Sequence, residues 1–395
     1  MKFAHMADCH IGGWRDEKLN KLSIEVFRRA ANKCIEEHIA FILISGDLFD
    51  TALPNIDLIK DVAKILDKVR DHNIEIYVIP GSHDFSPSGK TMLDVLENAG
   101  LIINVNKMDE NGNLKIFEDK TGVKITGLLG RRGGLEKEDY SKLNRENLEN
   151  LNGFKIFMFH TALEEFKPKE LEKVEAQSYM SLPKNFNYYA GGHVHYIFDT
   201  VKEGYGKIVF PGPLFPNNFK ELEELKNGGF YIVNESLELR YVPIQLKEVL
   251  SLRIEGKSSN EINDKIRNEI ENKDFNDKIV LLRVRGELEQ GKVSEVKLKE
   301  FIRKLNEKNA YIVLKNTEKL RVKELGEIEI EGNVEDVEKE IIRKSLGRVK
   351  IEFDEEKIVN ELIDVFNKSK EEGERNADFE ERIWKDFKKV IKLDN

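Results

Sequence analysis

The sequence predicts an α/β fold: a parallel sheet covered by helices, a second sheet after it, then a small appended domain and a helical tail. Three observations carry this. Apolar runs of strand length recur, the clearest being Phe41-Ile42-Leu43-Ile44-Ser45, continuous as in a strand covered on both faces. Segments between them repeat apolar residues at helical spacing. Each run also closes on polar residues, at the carboxyl edge where open α/β sheets bind their ligands.

In chain order, Lys2 to Ala7 reads as the first strand and delivers Asp8-Cys9-His10. On extended backbone Asp8 and His10 point to one side, a spacing that suits two ligands of one ion; the alternative is a strand-end Asp capping the next helix. Glu17 to His38 places Leu22, Val26, Phe27, Ala30, Cys34 and Ile35 at helical spacing. The Phe41–Ser45 run ends in Gly46-Asp47, with Asp50 close behind as a turn residue or a participant. A second helix is expected over Asp57 to Asp71, and Glu75 to Pro80 is a third strand delivering Gly81-Ser82-His83-Asp84. This β-α-β-α-β alternation implies right-handed crossovers and a parallel sheet.

Thr91 to Gly100 predicts a short helix, and Ile102 to Leu129 hairpin strands turning at Glu110–Asn113 and Lys120–Gly122. Arg131 and Arg132 follow, either as a charged loop or as phosphate contacts. Phe154 to His160 and Tyr188 to His195 repeat the pattern of strand then ligand. Ile208 to Pro213 and Gly229 to Val233 are expected to close the second sheet. From Glu248, strand, helix, strand, helix and strand (Val249–Ile254, Glu261–Ile270, Ile279–Val284, Glu295–Leu305, Tyr311–Leu314) predict a βαβαβ unit without histidine. Ile358 to Phe366 and Phe379 to Leu393 read as amphipathic helices. They suit packing on the preceding domain and docking into a partner's groove alike. The expected domains are 1–245, 246–320 and 321–395.

Composition bounds the function. Of 395 residues 40% are hydrophobic and 35% charged, with a net charge of −9, which argues against a broadly basic nucleic-acid coat. A nuclease stays open, because divalent metals can supply the positive charge a phosphodiester needs. Two cysteines, not clustered, imply no disulfide and suit a reducing compartment. No apolar run approaches the roughly 18–20 residues of a membrane span, and the N-terminal stretch reads as a strand. A soluble, intracellular protein is expected.

Asp8, His10, Asp47, Ser82, His83, Asp84, His160, His193 and His195 all follow apolar strands, and they include five of the eight histidines. As core filling each would need a buried partner. Asp and His donors without thiolates suit Mn, Fe, Zn or Co. Their number exceeds what one tetrahedral ion needs, which favours two ions sharing a carboxylate, with Asp47 as the shared one. Two such ions about 3.5–4 Å apart form a clamp for in-line displacement at phosphorus.

These motifs, D-x-H, G-D, G-S-H-D, H and G-H-x-H in this order over residues 1–215, resemble the calcineurin-like metallophosphoesterase superfamily. Within it, Gly46–Pro54, Pro80–Gly89 and Tyr188–His195 look most like the SbcD-type DNA double-strand-break repair nucleases, archaeal members included. The resemblance implies a two-sheet metallophosphoesterase sandwich flanked by helices, with a DNA-capping domain and a tail that grips an SMC-like ATPase. It further implies that Asp8, His10 and His195 hold one ion, that His160 and His193 hold the other, and that Asp47 bridges. His83 would stay unligated, face the scissile phosphate and stabilise or protonate the leaving group, oriented by Asp84. The family usually has Asn, a ligand of the second ion, where this chain has Ser82. Serine is a shorter and poorer neutral ligand, so that site would be weaker, water-filled or differently selective.

The leading expectation is a Mn-dependent DNA exonuclease and endonuclease. The resemblance implies a homodimer packed through the Asp57–Asp71 and Thr91–Gly100 helices, which correspond to the family's dimer helices. A metal-dependent phosphatase or cyclic-nucleotide phosphodiesterase for a small substrate keeps the same centre but gains little from the appended domains. A third reading is a non-enzymatic scaffold whose second metal site Ser82 has disabled.

Overall fold

The computed structural model describes residues 1–86, 91–323 and 376–390, with isolated positions between 358 and 370. The chain forms two compact units. One comprises Met1–Ile254, Ile266–Val284 and Leu298–Thr317, and the other Glu255–Lys265, Arg285–Lys297 and Glu318–Asn395.

In the first unit, β1 (Lys2–Met6), α1 (Glu17–Glu36), β2 (Phe41–Ser45), α2 (Ile56–Asp71), β3 (Glu75–Ile79), α3 (Met92–Asn98) and β4 (Ile103–Asn104) follow one another. The four strands are parallel neighbours. Asp16 and Asn55 start α1 and α2, their side chains accepting from backbone N–H groups of the first turn. Every residue of β2 is buried, because Ile42 and Ile44 face a core shared with α1 and α2 while Phe41 and Leu43 face the second sheet. That two-sided burial explains its unbroken apolar run.

β5 (Phe117–Glu118) and β6 (Lys124–Gly127) form the hairpin expected around Lys120–Gly122. The strand near Ile102 does not join a hairpin; as β4 it extends the first sheet. After the short helices α4 (Lys137–Lys142) and α5 (Arg145–Glu149) come β7 (Lys155–His160), the paired β8 (Ala162–Leu163) and β9 (Ala176–Gln177), then β10 (Tyr188–Gly192), β11 (Ile197–Val201) and β12 (Lys207–Pro211). α6 (Phe219–Leu225) leads into β13 (Gly228–Asn234) and β14 (Leu239–Ile244). Among the described residues there are two six-stranded sheets, ordered β14-β13-β1-β2-β3-β4 and β11-β12-β10-β7-β6-β5.

Gly229–Val233 therefore does not close the second sheet as expected. It lies in β13, antiparallel to β1 in the first sheet. Both its faces are apolar, which suits a covered strand of either sheet: Phe230 and Ile232 enter the helix-side core, Tyr231 and Val233 the inter-sheet core. Between the sheets, Phe3 stacks on Phe41 at 5.2 Å and meets Tyr188 edge-on at 5.1 Å.

β15 (Val249–Glu255), α7 (Ser259–Asn272), β16 (Ile279–Leu288), α8 (Leu298–Glu307) and β17 (Ile312–Asn316) follow the expected βαβαβ order. β16 and β17 are parallel in the third sheet. In the second unit β18 (Leu320–Val322) runs parallel to Gly286–Leu288. A helix spans Asn376–Val390, with Trp384 stacked on Phe387 at 5.3 Å. Of the helix expected over Ile358–Phe366, Ile358, Glu361, Leu362, Val365 and Phe366 are described and helical. Val359, Ile391 and Leu393, residues 87–90 after the third motif and the charged stretch 324–357 lie outside the described residues. Cys9 and Cys34 are buried free thiols. Among the described residues no helix is long and apolar enough to cross a membrane.

His5, one of the three histidines outside the candidate set, is fully buried between Tyr188 Oη (2.9 Å) and Ser45 Oγ (3.1 Å). Burial lowers its pKa to about 3. The unfolded chain takes up a proton near pH 6.5 that the native ring refuses. Its contribution is thus complete above pH 6.5 and is lost as pH falls towards 3, at up to ~1.4 kcal/mol per pH unit. Urea unfolding in EDTA between pH 7 and 4 will show a flatter pH dependence for His5→Gln than for wild type; parallel curves would refute this assignment.

Candidate metal centre

β1, β2 and β3 of the first sheet and β7 and β10 of the second end at one edge, and the candidate residues gather there. Met6 ends β1, and the loop beyond it zips onto the loop after β2: Asp8 N donates to Gly46 O (3.1 Å), His10 N to Asp47 O (2.9 Å) and Ile11 N to Leu48 O (3.1 Å). Asp8 and His10 therefore do not project from extended backbone, as their spacing implied. Their φ values are 49° and 41°, and Asp47 and His193 join them at 52° and 88°. Left-handed backbone costs non-glycine residues about 1–3 kcal/mol each, and it concentrates at functional sites. Gly46, at φ 90°, is required by geometry and by space, since a Cβ there would lie 2.1 Å from His160 Nδ1.

The ligand atoms form overlapping groups. Oxygen or nitrogen atoms of Asp8, His10 and His195 lie within 4.8 Å of one another, as do those of Asp8, Asp47 and His160, and those of His10, Asp50 and His83. Asp47 Oδ2 lies 3.2 Å from His160 Nε2 and 3.7 Å from His10 Nε2. His195 Nε2 lies 3.1 Å from His10 Nε2 and 3.7 Å from Asp8 Oδ1. His193 donates its backbone N–H to Asp8 (2.9 Å), and its ring meets that of His160 edge-on at 5.1 Å. Ser82 Oγ reaches Asp47 Oδ2 at 3.5 Å. The structure thus brings all seven residues expected to hold metal to one edge.

The other face of each ring tells what these nitrogens are for. His10 Nδ1 donates to Asp50 Oδ1 (3.1 Å), His195 Nδ1 to Glu221 Oε1 (2.9 Å) and His160 Nδ1 to Ser45 O (2.8 Å). Carboxylates and carbonyls only accept, so each Nδ1 carries the hydrogen and each Nε2 offers a lone pair. Those lone pairs converge on one another and on carboxylate oxygens, an arrangement that repels unless a proton or cation lies between. His160 Nε2 is buried without a hydrogen-bond partner, its approach to Asp47 being poorly aligned. The donor set fits a divalent metal, with Asp50 and Glu221 as the outer carboxylates that metal-binding histidines typically use.

The electrostatics agree. Burial alone would raise Asp47, yet His160, His10 and His83 hold it well below the usual carboxylate range. Burial opposes ionisation of His160, and the Asp47 and Asp8 carboxylates still raise it. Against the same opposition, Glu221 and Asp8 lift His195 to about 9. His193 goes the other way, to about 3, through burial and the neighbouring His160. Protons stand where a cation would, so metal uptake should release them.

His83 has a side chain that is 37% exposed. Its backbone N–H donates to Asp47 Oδ1 (2.7 Å) and its Nδ1 to the Asp50 carbonyl (2.8 Å). The ring nitrogen is thus held by Asp50, and Asp84, expected to orient His83, bonds the backbone. The buried Asp84 carboxylate accepts backbone N–H bonds from Leu48 (3.1 Å), Phe49 (3.0 Å) and Gly81 (3.1 Å), and so ties the second and third strand-end loops together. Arg131 pairs with Asp139, and Arg132 Nε donates to the Ser82 carbonyl (3.2 Å), bracing the loop that carries His83. Sequence reasoning missed Glu221 altogether. At the third position of a short helix capped by Asn218 it reads as an ordinary first-turn acid, and nothing in the spacing links it to His195.

Two substitutions test this arrangement. Glu221→Gln will weaken Mn binding by about 10–100-fold, the usual effect of losing an outer carboxylate. Gly46→Ala will abolish binding and lower the thermal midpoint, because its Cβ displaces the His160 ring. Calorimetric titration of EDTA-stripped protein checks both, and wild-type affinity in either variant would sink the geometry.

Residues 1–196 match the family model described as calcineurin-like phosphoesterase. The chain is also similar to proteins named DNA double-strand break repair protein Mre11. That of Methanococcus maripaludis is 30% identical over 59% of this chain and 62% of its own length. That of Archaeoglobus fulgidus is 27% identical over 65% and 62%, and that of Methanocaldococcus jannaschii 26% identical over 67% and 73%. The match thus spans less than two thirds of the first two relatives. The strand-end motifs, the paired sheets and the family match agree, and over residues 1–196 the chain carries a domain of the calcineurin-like phosphoesterase family.

Proposed function

We propose that the chain is a metal-dependent DNA nuclease of double-strand-break repair, degrading duplex ends and cutting single strands inside the cell. The observation that carries this is the placement of Asp47, whose one oxygen faces a ring nitrogen of His160 at 3.2 Å and of His10 at 3.7 Å. In this reading Asp8, His10 and His195 hold one ion, His160, His193 and Ser82 hold the other, and Asp47 serves both, with Mn the favoured metal. Held there, two divalent ions would supply activation of a water and neutralisation of charge for an in-line displacement at phosphorus.

The remaining steps belong to the chain's own residues. His83, whose Nδ1–H is committed to the Asp50 carbonyl, can give or take a proton only at Nε2, the atom that would serve a leaving oxygen. Asp84 is a positioning residue that holds the His83 loop against the Asp47 loop. Similarity to relatives named for DNA repair supports DNA over a small ester.

Exposed apolar side chains near α2 and α3, namely Leu53, Ile56 and Val95, support a homodimer through those helices. The exposed Phe366 and Trp384 support docking of the C-terminal helices to an SMC-like ATPase.

The test is cleavage of linear duplex and single-stranded DNA with Mn, Mg or EDTA, beside bis-p-nitrophenyl phosphate. DNA cleavage that needs Mn and vanishes in EDTA is expected. His83→Ala should bind Mn normally and lose about 10²–10⁴-fold in rate. Turnover of the small ester alone would replace the nuclease with a small-substrate phosphoesterase. Absence of turnover of either substrate, with one ion bound, would mark Ser82 as disabling the second site.

A further inference from the structure

α6 is two turns long, and two i,i+4 pairs lie on neighbouring faces, Asn217–Glu221 across its N-terminus and Phe219–Glu223 within it. The first pair reaches the metal centre. Glu221 Oε1 accepts from His195 Nδ1 (2.9 Å) and Oε2 from Asn217 N (2.7 Å), while Asn217 Nδ2 donates to Asp50 Oδ1 (3.3 Å). That same Asp50 oxygen holds His10 Nδ1 (3.1 Å). Both histidines of the Asp8–His10–His195 group are therefore oriented through the start of one helix.

The second pair, Phe219 and Glu223, faces the third sheet. Glu223, almost completely buried, receives Arg253 Nε of β15 at 2.9 Å and a two-pronged contact from Arg283 of β16, Nε at 2.9 Å and a terminal nitrogen at 2.8 Å. The Arg283 guanidinium also lies over the Phe219 ring at 4.9 Å. Between the two faces Leu222, fully buried, shares a core with Ile279, Leu281 and Ile312 of that sheet.

We propose that α6 is the link through which β15 and β16 set the metal affinity of the Asp8–His10–His195 group, with Glu223, Arg253 and Arg283 as positioning residues. The inference rests on the metal reading above. Glu223 touches no ligand and acts through the placement of a seven-residue helix. A buried carboxylate stripped of its cations is strongly unfavourable. Glu223 would then move towards water and carry α6 with it, and Glu221 would leave His195 free to turn. Imidazole orientation is what an outer carboxylate secures, so slackness two residues along the helix is felt at the ion.

The experiment is Mn titration of the EDTA-stripped full chain by calorimetry, with bound Mn followed by electron paramagnetic resonance and thermal midpoints recorded in EDTA. Wild type, Glu221→Gln, Glu223→Gln, Arg283→Lys and Arg253→Met are compared. Glu223→Gln should weaken one ion by about threefold to tenfold, the scale of coupling through packed elements. That ion should be the one Glu221→Gln weakens, the other should keep its affinity, and Arg283→Lys should retain most of the wild-type value. A Glu223→Gln protein with a lowered midpoint but wild-type affinity for both ions would overturn the proposal, since the clamp would then serve folding alone. Should Glu223→Gln not fold, Arg253→Met, whose side chain is 62% exposed, carries the same expected loss. Wild type binding two ions with all clamp variants unchanged sinks the link and spares the metal reading. Wild type binding none sinks both.

Discussion

Everything at the carboxyl edge of this fold depends on where three imidazole lone pairs point, and that is decided on the far side of each ring. Asp50, Glu221 and the Ser45 carbonyl occupy the Nδ1 hydrogens of His10, His195 and His160. The Nε2 atoms are thereby turned inward onto Asp8 and Asp47. Each acceptor lies far along the chain from the histidine it holds, so the site is a property of the whole two-sheet core and not of any one motif.

Holding that arrangement is costly. Four site residues sit in left-handed backbone, and carboxylates and imidazoles are withdrawn from water. The stabilisation comes from the packing on either side: α1 and α2 on the outer face of the first sheet, and the aromatic layer of Phe3, Phe41 and Tyr188 between the sheets. Asp84 belongs to the same economy of charge. Its carboxylate is spent on three backbone hydrogens, and this fixes the loop from which His83 projects. Strain at the edge and density in the interior are two sides of one design, as expected where rigid strands position a reactive cluster.

Much of this was legible in the sequence, for a physical reason. A strand covered on both faces must be apolar at every position, so Phe41–Ser45 announces itself, and a polar residue closing such a run stands out by contrast. That contrast singled out Asp8, His10, Asp47, Ser82, His83, Asp84, His160, His193 and His195, and the family resemblance then divided them into ligands and others. What stayed hidden is what depends on distance along the chain. Glu221 looks like any acid in a first helical turn until His195 is placed beside it. β13 looks like a neighbour of β12, because an apolar strand does not declare which sheet it enters. The left-handed turns at Asp8 and His10 were hidden for another reason: aspartate and histidine tolerate that conformation without requiring it, whereas a glycine such as Gly46 signals it.

The pairing of β1 has a consequence for how the protein is made. Lys2–His5 lies beside Tyr231–Asn234, so during synthesis β1 gains its antiparallel neighbour only after more than two hundred further residues. At about 5–20 residues per second, that interval is roughly ten to forty-five seconds. Throughout it β1 presents an unpaired edge of apolar residues, the kind of surface that invites pairing with another nascent chain. The lateness of β13 thus sets how long that edge stays open, a constraint that comes from strand order in the sheet and from no feature of β1 itself.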